Sequence, residues 1–112
     1  MQPRTPKLLS DILASTEFVL GLVAGKDLDV YRGDPVLRAA AERHLEIIGE
    51  AVNRLAREDP GMAARIPGYR QVVSFRNVLI HGYDLVDHGE VWRVITGDLP
   101  ALRDTARRLL GE

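Results

Sequence analysis

The sequence contains no cysteine, so neither a disulfide bond nor a thiolate metal site is available to it. Its three histidines, His44, His81 and His88, do not have the spacing of metal ligands, and we expect His44 and His88 to be exposed. There is also no glycine-rich phosphate loop. We therefore expect a protein that binds no metal ion and needs no cofactor.

Long hydrophobic runs are missing as well. The longest, from Phe18 to Gly25, is far shorter than the roughly 20 apolar residues needed to span a bilayer. The N-terminal segment Met1–Arg4 lacks the basic, then apolar, then small-residue pattern of a secretory signal. Together with the absence of cysteine, this predicts a cytoplasmic protein that is not inserted in a membrane.

A strong charge of one sign is absent too, because the formal net charge is −1 and the sequence pI is about 6.3. This balance argues against a protein that coats nucleic acid generally, so any phosphate-binding surface must be local. Only Lys7 and Lys26 among the 15 basic residues are lysines. The arginine fork is the better geometric match for a phosphate group.

Convincing β-strands are also lacking, and a length of 112 residues predicts one domain, residues 1–112. Apolar residues recur at helical spacing, which predicts an all-α, antiparallel bundle of four main helices, or five. The fifth arises if Pro100 restarts the last helix with Asp98 as a second cap, rather than kinking it. The predicted helices are Pro6–Ala24, Asp34–Glu58, Tyr69–His81 and a last segment from Asp87 towards Gly111. Lys26–Gly33 and Met62–Tyr69 are predicted to be loops, the latter with at most one helical turn.

Gly49 lies in the middle of the second predicted helix, where it costs about 1 kcal/mol relative to alanine. We therefore expect another helix to approach closely there, either from the same chain or from a second subunit. On the same helix, Glu46 and Glu50 are interpreted as a carboxylate pair on the helix surface.

The segment from Ser74 to Asp84 concentrates the reactive side chains, because it holds the guanidinium of Arg76, the imidazole of His81 and the phenol of Tyr83. The apolar run Val78–Ile80 is predicted to anchor it in the core. Gly82 is predicted to turn the backbone out of the helix after His81. Two supporting polar residues, Ser74 and Asn77, share the helix face of His81.

Spacing alone does not assign a role to this segment. Arg76 and His81 are five residues apart, about 140° of rotation and 7.5 Å of rise on a helix, so they do not share a strict stripe. The plain alternative is that His81 is a helix-end residue favoured by the helix dipole and that Arg76 is solvated or ion-paired. Tyr83 would then be a packing residue whose hydroxyl reaches water.

The segment Arg76–Tyr83 resembles the signature of HEPN-domain proteins, in which a histidine follows an arginine after four to six residues. It is most similar to the HepT toxins of HepT–MntA toxin–antitoxin systems, whose motif is arginine, four residues, histidine, any residue, tyrosine. The likeness extends from about Leu9 to Leu110. Further matching segments are Tyr31–Pro35, Arg43–Ala51, Val86–Asp87, Val91–Trp92 and Asp98–Pro100.

The resemblance implies a homodimeric helical bundle that acts as a metal-independent endoribonuclease. Arg76 and His81 of both subunits would line one cleft, where a ribose 2′-hydroxyl attacks the adjacent phosphate. His81 would act as general base or general acid, and Arg76 would hold the phosphate and stabilise the growing charge.

The resemblance also implies a partner and leaves an alternative function open. A small nucleotidyltransferase antitoxin of the MntA type would transfer AMP from ATP to Tyr83, as in type VII toxin–antitoxin pairs. The added charge and bulk would then keep RNA from Arg76 and His81. The alternative is a non-catalytic HEPN subunit that binds a nucleotide or a partner protein beside a nucleotidyltransferase.

Overall fold

Helices form all the regular structure in the computed structural model, which describes residues 1–111. The elements are α1 Thr5–Val23, α2 Leu28–Gly33, α3 Pro35–Glu58, α4 Pro60–Ala63, α5 Tyr69–His81, a 3₁₀ turn Tyr83–Leu85, α6 His88–Arg93, a π-helical turn Val94–Asp98 and α7 Leu99–Leu110. Because α6, the π turn and α7 follow one another without a break, they form one continuous helical segment. With α1, α3 and α5 this gives the four main helices of the predicted all-α fold.

The helices α1 and α3 run antiparallel and form the centre of the bundle. Thr5, at the start of α1, donates its hydroxyl hydrogen to Asp59, just after α3, over 2.7 Å. Farther along the pair, Ser15 and His44 lie 3.1 Å apart, hydroxyl oxygen to Nδ1. The helix α7 packs on α1, whereas α5 packs on α3. The core fills the space between these helices and consists mainly of aliphatic side chains, including Leu9, Ile12, Val19, Leu45, Ile48, Val52, Leu55, Ile95 and Leu99.

Side-chain caps fix two of the predicted helix starts. One carboxylate oxygen of Asp34 accepts a hydrogen bond from the backbone N–H of Leu37 over 3.0 Å at the start of α3. Asp87 accepts bonds from Gly89 and Glu90 at the start of α6. These bonds satisfy donors that the first turn of a helix otherwise leaves unpaired.

The segment Lys26–Gly33 is not a loop, contrary to the sequence prediction, because Leu28–Gly33 forms α2. The carboxylate of Asp27 caps this short helix by accepting from the N–H of Val30 over 2.9 Å. Tyr31 is fully buried and anchors the turn to the core. Tertiary burial of one aromatic ring thus stabilises a helix too short to show a periodic pattern.

Pro100 neither restarts the last helix nor breaks it. A proline has no N–H to donate and its ring crowds the carbonyl four residues earlier. The chain accommodates it by widening into the π turn, where the N–H of Leu99 bonds to the carbonyl of Val94. Asp98 makes no capping bond, so its predicted role as a second cap is wrong. Its carboxylate instead lies 3.5 Å from Arg93.

Across residues 1–111, none of the helices combines the length and the apolar character needed to cross a membrane.

Candidate active site

The helix α5 stands between two grooves on the protein surface. On one flank, Arg76 and Ile80 face a groove of about 480 Å³ whose floor is the outer side of α3 and whose far wall is α1. On the other flank, Phe75 and Val78 face a groove of about 610 Å³ bounded by α6, the π turn and α7. We call the first the charged groove and the second the apolar groove.

The run Val78–Ile80 anchors α5 in the core through Leu79 alone, which is the only fully buried residue of this helix. Val78 remains 49% exposed, and Ile80 is exposed as well. Successive residues of a helix point about 100° apart, so one of three neighbours faces α3 while the other two lie on the flanks. As a result, α5 presents apolar side chains to both grooves.

Arg76 lies at the edge of the contact between α5 and α3, and only 22% of its side chain is exposed. Its Nη2 donates to the carboxylate of Glu50 over 2.5 Å, and its Nη1 donates to the side-chain oxygen of Asn77 over 2.8 Å. Its Nε is buried and has no hydrogen-bond partner within residues 1–111. These contacts fix the direction of the guanidinium before any ligand arrives.

Gly49 is the reason that Arg76 can lie so close to α3. A Cβ atom placed on Gly49 would come within 2.2 Å of the Cβ and 2.6 Å of the Cγ of Arg76. Such distances are far below van der Waals contact, so a larger residue would push α5 away. The predicted close approach at Gly49 is confirmed, and the approaching helix is α5 of the same chain.

Glu50 is the residue that the sequence interpretation missed. It does not form a surface pair with Glu46, because it accepts from Arg76 and, over 2.8 Å, from Nε of Arg54. The bond from Arg54, together with the nearby charge of Arg76, lowers the pKa of the Glu50 carboxyl despite its partial burial. Two guanidiniums share this one carboxylate, which leaves an excess of positive charge beside Arg76. The sequence did contain a signal for this contact, because Glu50 directly follows Gly49. A helix that approaches Gly49 also comes close to Glu50.

His81 lies on a different side of α5 from Arg76. It is exposed, as are Ser74 and Asn77 on the same face, where these three residues follow the predicted spacing. Asn77 connects this face to Arg76 through their hydrogen bond. Arg76 and His81 form no hydrogen bond with each other among residues 1–111, which agrees with their 140° offset.

Tyr83 follows the end of α5 and is 77% exposed. The N–H of Gly82 bonds to the carbonyl of Val78 over 2.8 Å and closes the helix, as predicted. The chain then makes the 3₁₀ turn Tyr83–Leu85, which presents both Tyr83 and Leu85 to solvent. The phenol oxygen is therefore reachable by another molecule.

The other two histidines are half-buried, so their predicted exposure is wrong. His44 stacks on Phe18 with ring centroids 4.2 Å apart, and its burial, followed by the nearby Arg43, lowers its pKa. His88 meets the ring of Tyr31 edge-on, and its Nδ1 is buried without a partner in the described part of the chain. Helices α1 and α2 cover these two rings, and neither ring belongs to the lining of the charged groove.

In residues 1–111, moreover, no three histidine, aspartate or glutamate side chains converge as a metal site would require.

The chain as a whole matches a known protein family. Residues 12–109 match the family model described as "Ribonuclease HepT-like". The chain belongs to the HepT-like ribonuclease family. The resemblance predicted from the motif around Arg76 and His81 is thereby confirmed at the level of the family.

Relatives of this HepT-like chain match it over nearly its whole length. A protein of Caldanaerobacter subterraneus subsp. tengcongensis named "Putative RNase TTE0752" is 34% identical over 96% of both chains. A "Putative RNase MJ1380" of Methanocaldococcus jannaschii is 30% identical over 85% of this chain and 86% of its own. A "Probable ribonuclease HepT" of Thermococcus cleftensis is 29% identical over 90% and 91%, respectively. No solved structure matches the chain significantly.

Proposed function

We propose that this HepT-like protein is a metal-independent endoribonuclease that cuts RNA through Arg76 and His81. The observation that carries the proposal is the position of these two residues on α5. Arg76 is held in place with an excess of positive charge around it, while His81 on the same helix is open to solvent. A guanidinium that holds a phosphate and an imidazole that moves a proton are the groups that RNA cleavage by the 2′-hydroxyl requires.

The proposed reaction is an internal transfer at phosphorus. A base removes the proton from the ribose 2′-hydroxyl, whose oxygen forms a bond to the adjacent phosphorus. The bond from phosphorus to the 5′ oxygen of the next nucleotide breaks, and an acid gives that oxygen a proton. The products are a 2′,3′-cyclic phosphate and a free 5′-hydroxyl, and His81 acts as the base or the acid. Arg76 neutralises the charge that grows on the phosphate oxygens.

The proposed active species is a homodimer. Within one chain, Arg76 and His81 point in directions about 140° apart, so a second α5 would bring an imidazole and a guanidinium together more easily. The exposed apolar residues of α5 and of the following turn, Val78, Ile80 and Leu85, support an interface along α5 and this turn. Burial of such side chains favours association. Two arginines and two histidines would then line one cleft.

Regulation is proposed to act through Tyr83. Its exposed phenol oxygen can attack the α-phosphate of ATP on a nucleotidyltransferase of the MntA type, with release of pyrophosphate. The resulting phosphodiester carries negative charge and an adenosine group two residues from His81. An anion at this position would compete with RNA phosphate for Arg76 and block the cleft.

The alternative function is that of a non-catalytic HEPN subunit, which binds a nucleotide or a partner protein. The observation that favours it is the Glu50–Arg76 pair, because a carboxylate already occupies the guanidinium. Arg54 weakens this argument, since it shares Glu50 and leaves one positive charge uncompensated in the group of three.

Growth of cells on induced expression separates the two functions. The ribonuclease predicts that wild type stops growth, that Arg76→Ala and His81→Ala do not, and that His81→Ala melts at the wild-type temperature because the side chain is exposed. Tyr83→Phe should remain toxic even when the nucleotidyltransferase is co-expressed, because it lacks the acceptor oxygen. Equal, harmless expression of all four proteins at normal abundance would leave the binding subunit as the function.

A further inference from the structure

The charged groove holds more positive charge than the chain as a whole. Five cations and three carboxylates line it, an excess of two positive charges in a chain whose formal net charge is −1. The cations are Arg4, Lys7, Arg43, Arg54 and Arg76. Positive charge gathered in a concave surface attracts anions more strongly than the same charges spread over the molecule. The groove is therefore the local basic surface that the balanced composition conceals.

Two of these cations are free to exchange their present partners. Lys7 lies on the α1 wall of the groove and Arg43 on its α3 floor, with 74% and 69% of their side chains exposed. Each is paired with a carboxylate of its own helix, Lys7 with Asp11 and, over 3.5 Å, Arg43 with Glu46. Exposed pairs of this kind contribute little to stability, so a phosphate can replace the carboxylate at small cost.

The groove is continuous with the proposed reaction site, because Arg76 and Ile80 form one of its walls. Along its floor, Arg43 and Arg54 are separated by about 16 Å at the helical rise per residue. That length accommodates more than one nucleotide. Between the charges, Ile47 and Ile80 supply apolar surface against which a ribose or a base can pack. Alternation of cations with apolar surface in a concave track is typical of sites for single-stranded nucleic acid.

We propose that the charged groove binds the backbone of single-stranded RNA, with Lys7 and Arg43 contacting phosphates beyond the one that Arg76 holds. The inference rests on the proposed ribonuclease function, because it assigns the path of that enzyme's substrate. Contacts to phosphate carry no sequence information. The groove would therefore position RNA without selecting its sequence.

The test measures binding of a fluorescent single-stranded RNA at a series of salt concentrations. All proteins carry His81→Ala, so that the RNA stays uncut. Each phosphate contact to a single strand contributes about 0.7 to the slope of log Kd against log salt concentration. Lys7→Gln with Arg43→Gln should therefore lower the slope by about 1.4, and Arg43→Gln alone by about 0.7. A single-stranded DNA of the same sequence should show the same decreases, because the contacts are to phosphate.

The matched control removes two positive charges outside the groove. Arg103 and Arg107 lie on α7 and are paired with Asp104 and Glu17, respectively. Arg103→Gln with Arg107→Gln should leave the slope at the wild-type value. Equal slopes for the groove variants and wild type, or an equal decrease in the α7 control, would overturn the groove as the RNA path.

Cleavage by the protein with His81 intact, measured in parallel, separates this inference from the proposed function. Cleavage that depends on His81, combined with unchanged salt slopes in the groove variants, would refute the groove alone. Absence of both RNA binding and RNA cleavage would refute the groove and the ribonuclease together.

Discussion

At the scale of single residues, the orientation of Arg76 depends on two neighbours on α3. Gly49 has no side chain and lets the stem of Arg76 lie directly against the helix. Glu50, the next residue, accepts a hydrogen bond from the guanidinium of Arg76 over 2.5 Å and a second one from Arg54. A flexible arginine side chain loses conformational freedom when it is fixed, and here the folded protein has already fixed it before the ligand binds.

Gly49→Ala should destabilise the protein although alanine is the better helix former. The gain in helix propensity is about 1 kcal/mol. Against it stands a Cβ contact at 2.2 Å with Arg76 that forces α5 to move. Overpacking of this kind typically costs about 1 to 3 kcal/mol, and the shift should also lower ribonuclease activity. Thermal or denaturant unfolding measures the first effect, and cleavage rates measure the second.

Gly21→Ala is the control for this substitution, because Gly21 is also helical and no atom lies within 4 Å of its hypothetical Cβ. It should stabilise the protein by up to about 1 kcal/mol and leave cleavage unchanged. A Gly49→Ala protein as stable and as active as Gly21→Ala would contradict the close contact between α3 and α5.

At the scale of the helices, the sequence predicts the long elements and misses features that depend on tertiary packing. Periodic apolar residues and the caps Asp34 and Asp87 place the main helices correctly. The short helix α2 is missed because its stability comes from the burial of Tyr31. The π turn is missed because it accommodates the ring and the missing N–H of Pro100, which the apolar pattern does not show. The ion pair of Arg76 with Glu50 joins residues 26 positions apart, so no local pattern reveals it.

The sequence reveals the motif of Arg76, His81 and Tyr83 but not the surfaces that surround it. Arg76, His81 and Tyr83 lie in one short segment, so their spacing is visible in the sequence. The sides of α5 on which Arg76 and His81 lie are set by which side of the helix packs on α3. That choice buries Leu79 and leaves Val78 and Ile80 on the groove walls, a distribution that the continuous apolar run does not indicate.

The exposed flank of α5 yields a prediction about association. Val78→Glu places a carboxylate at the edge of the apolar groove, in the surface proposed to meet a second copy. Burying an unpaired charge is costly, so the variant should be monomeric where wild type is dimeric, and it should lose ribonuclease activity. Sedimentation at micromolar concentrations measures the state of both proteins.

Val36→Glu serves as the matched control for Val78→Glu. Val36 is also an exposed valine, but it lies in the first turn of α3, where a carboxylate is favoured by the helix dipole. This protein should remain dimeric and active. A monomeric wild type, or a Val78→Glu protein that dimerises like wild type, would contradict the proposed interface.

At the scale of the whole molecule, α5 separates two surfaces of different chemistry. The charged groove gathers positive charge beside Arg76, and the apolar groove offers hydrophobic surface beside Val78. One helix would thus contribute to catalysis, to substrate binding and to association, while the rest of the bundle holds it in place.

Cleavage of an end-labelled single-stranded RNA in the presence of EDTA tests the proposed metal-independent ribonuclease. Wild type is expected to cut this RNA without a divalent ion and to leave 2′,3′-cyclic phosphate ends. A substrate with 2′-deoxyribose at the cleavage position should remain intact, because the attacking hydroxyl is missing. His81→Ala should be slower by about 10² to 10⁴-fold. Loss of wild-type cleavage in EDTA with recovery on addition of a divalent ion, or cleavage of the deoxy substrate, would contradict the proposed mechanism.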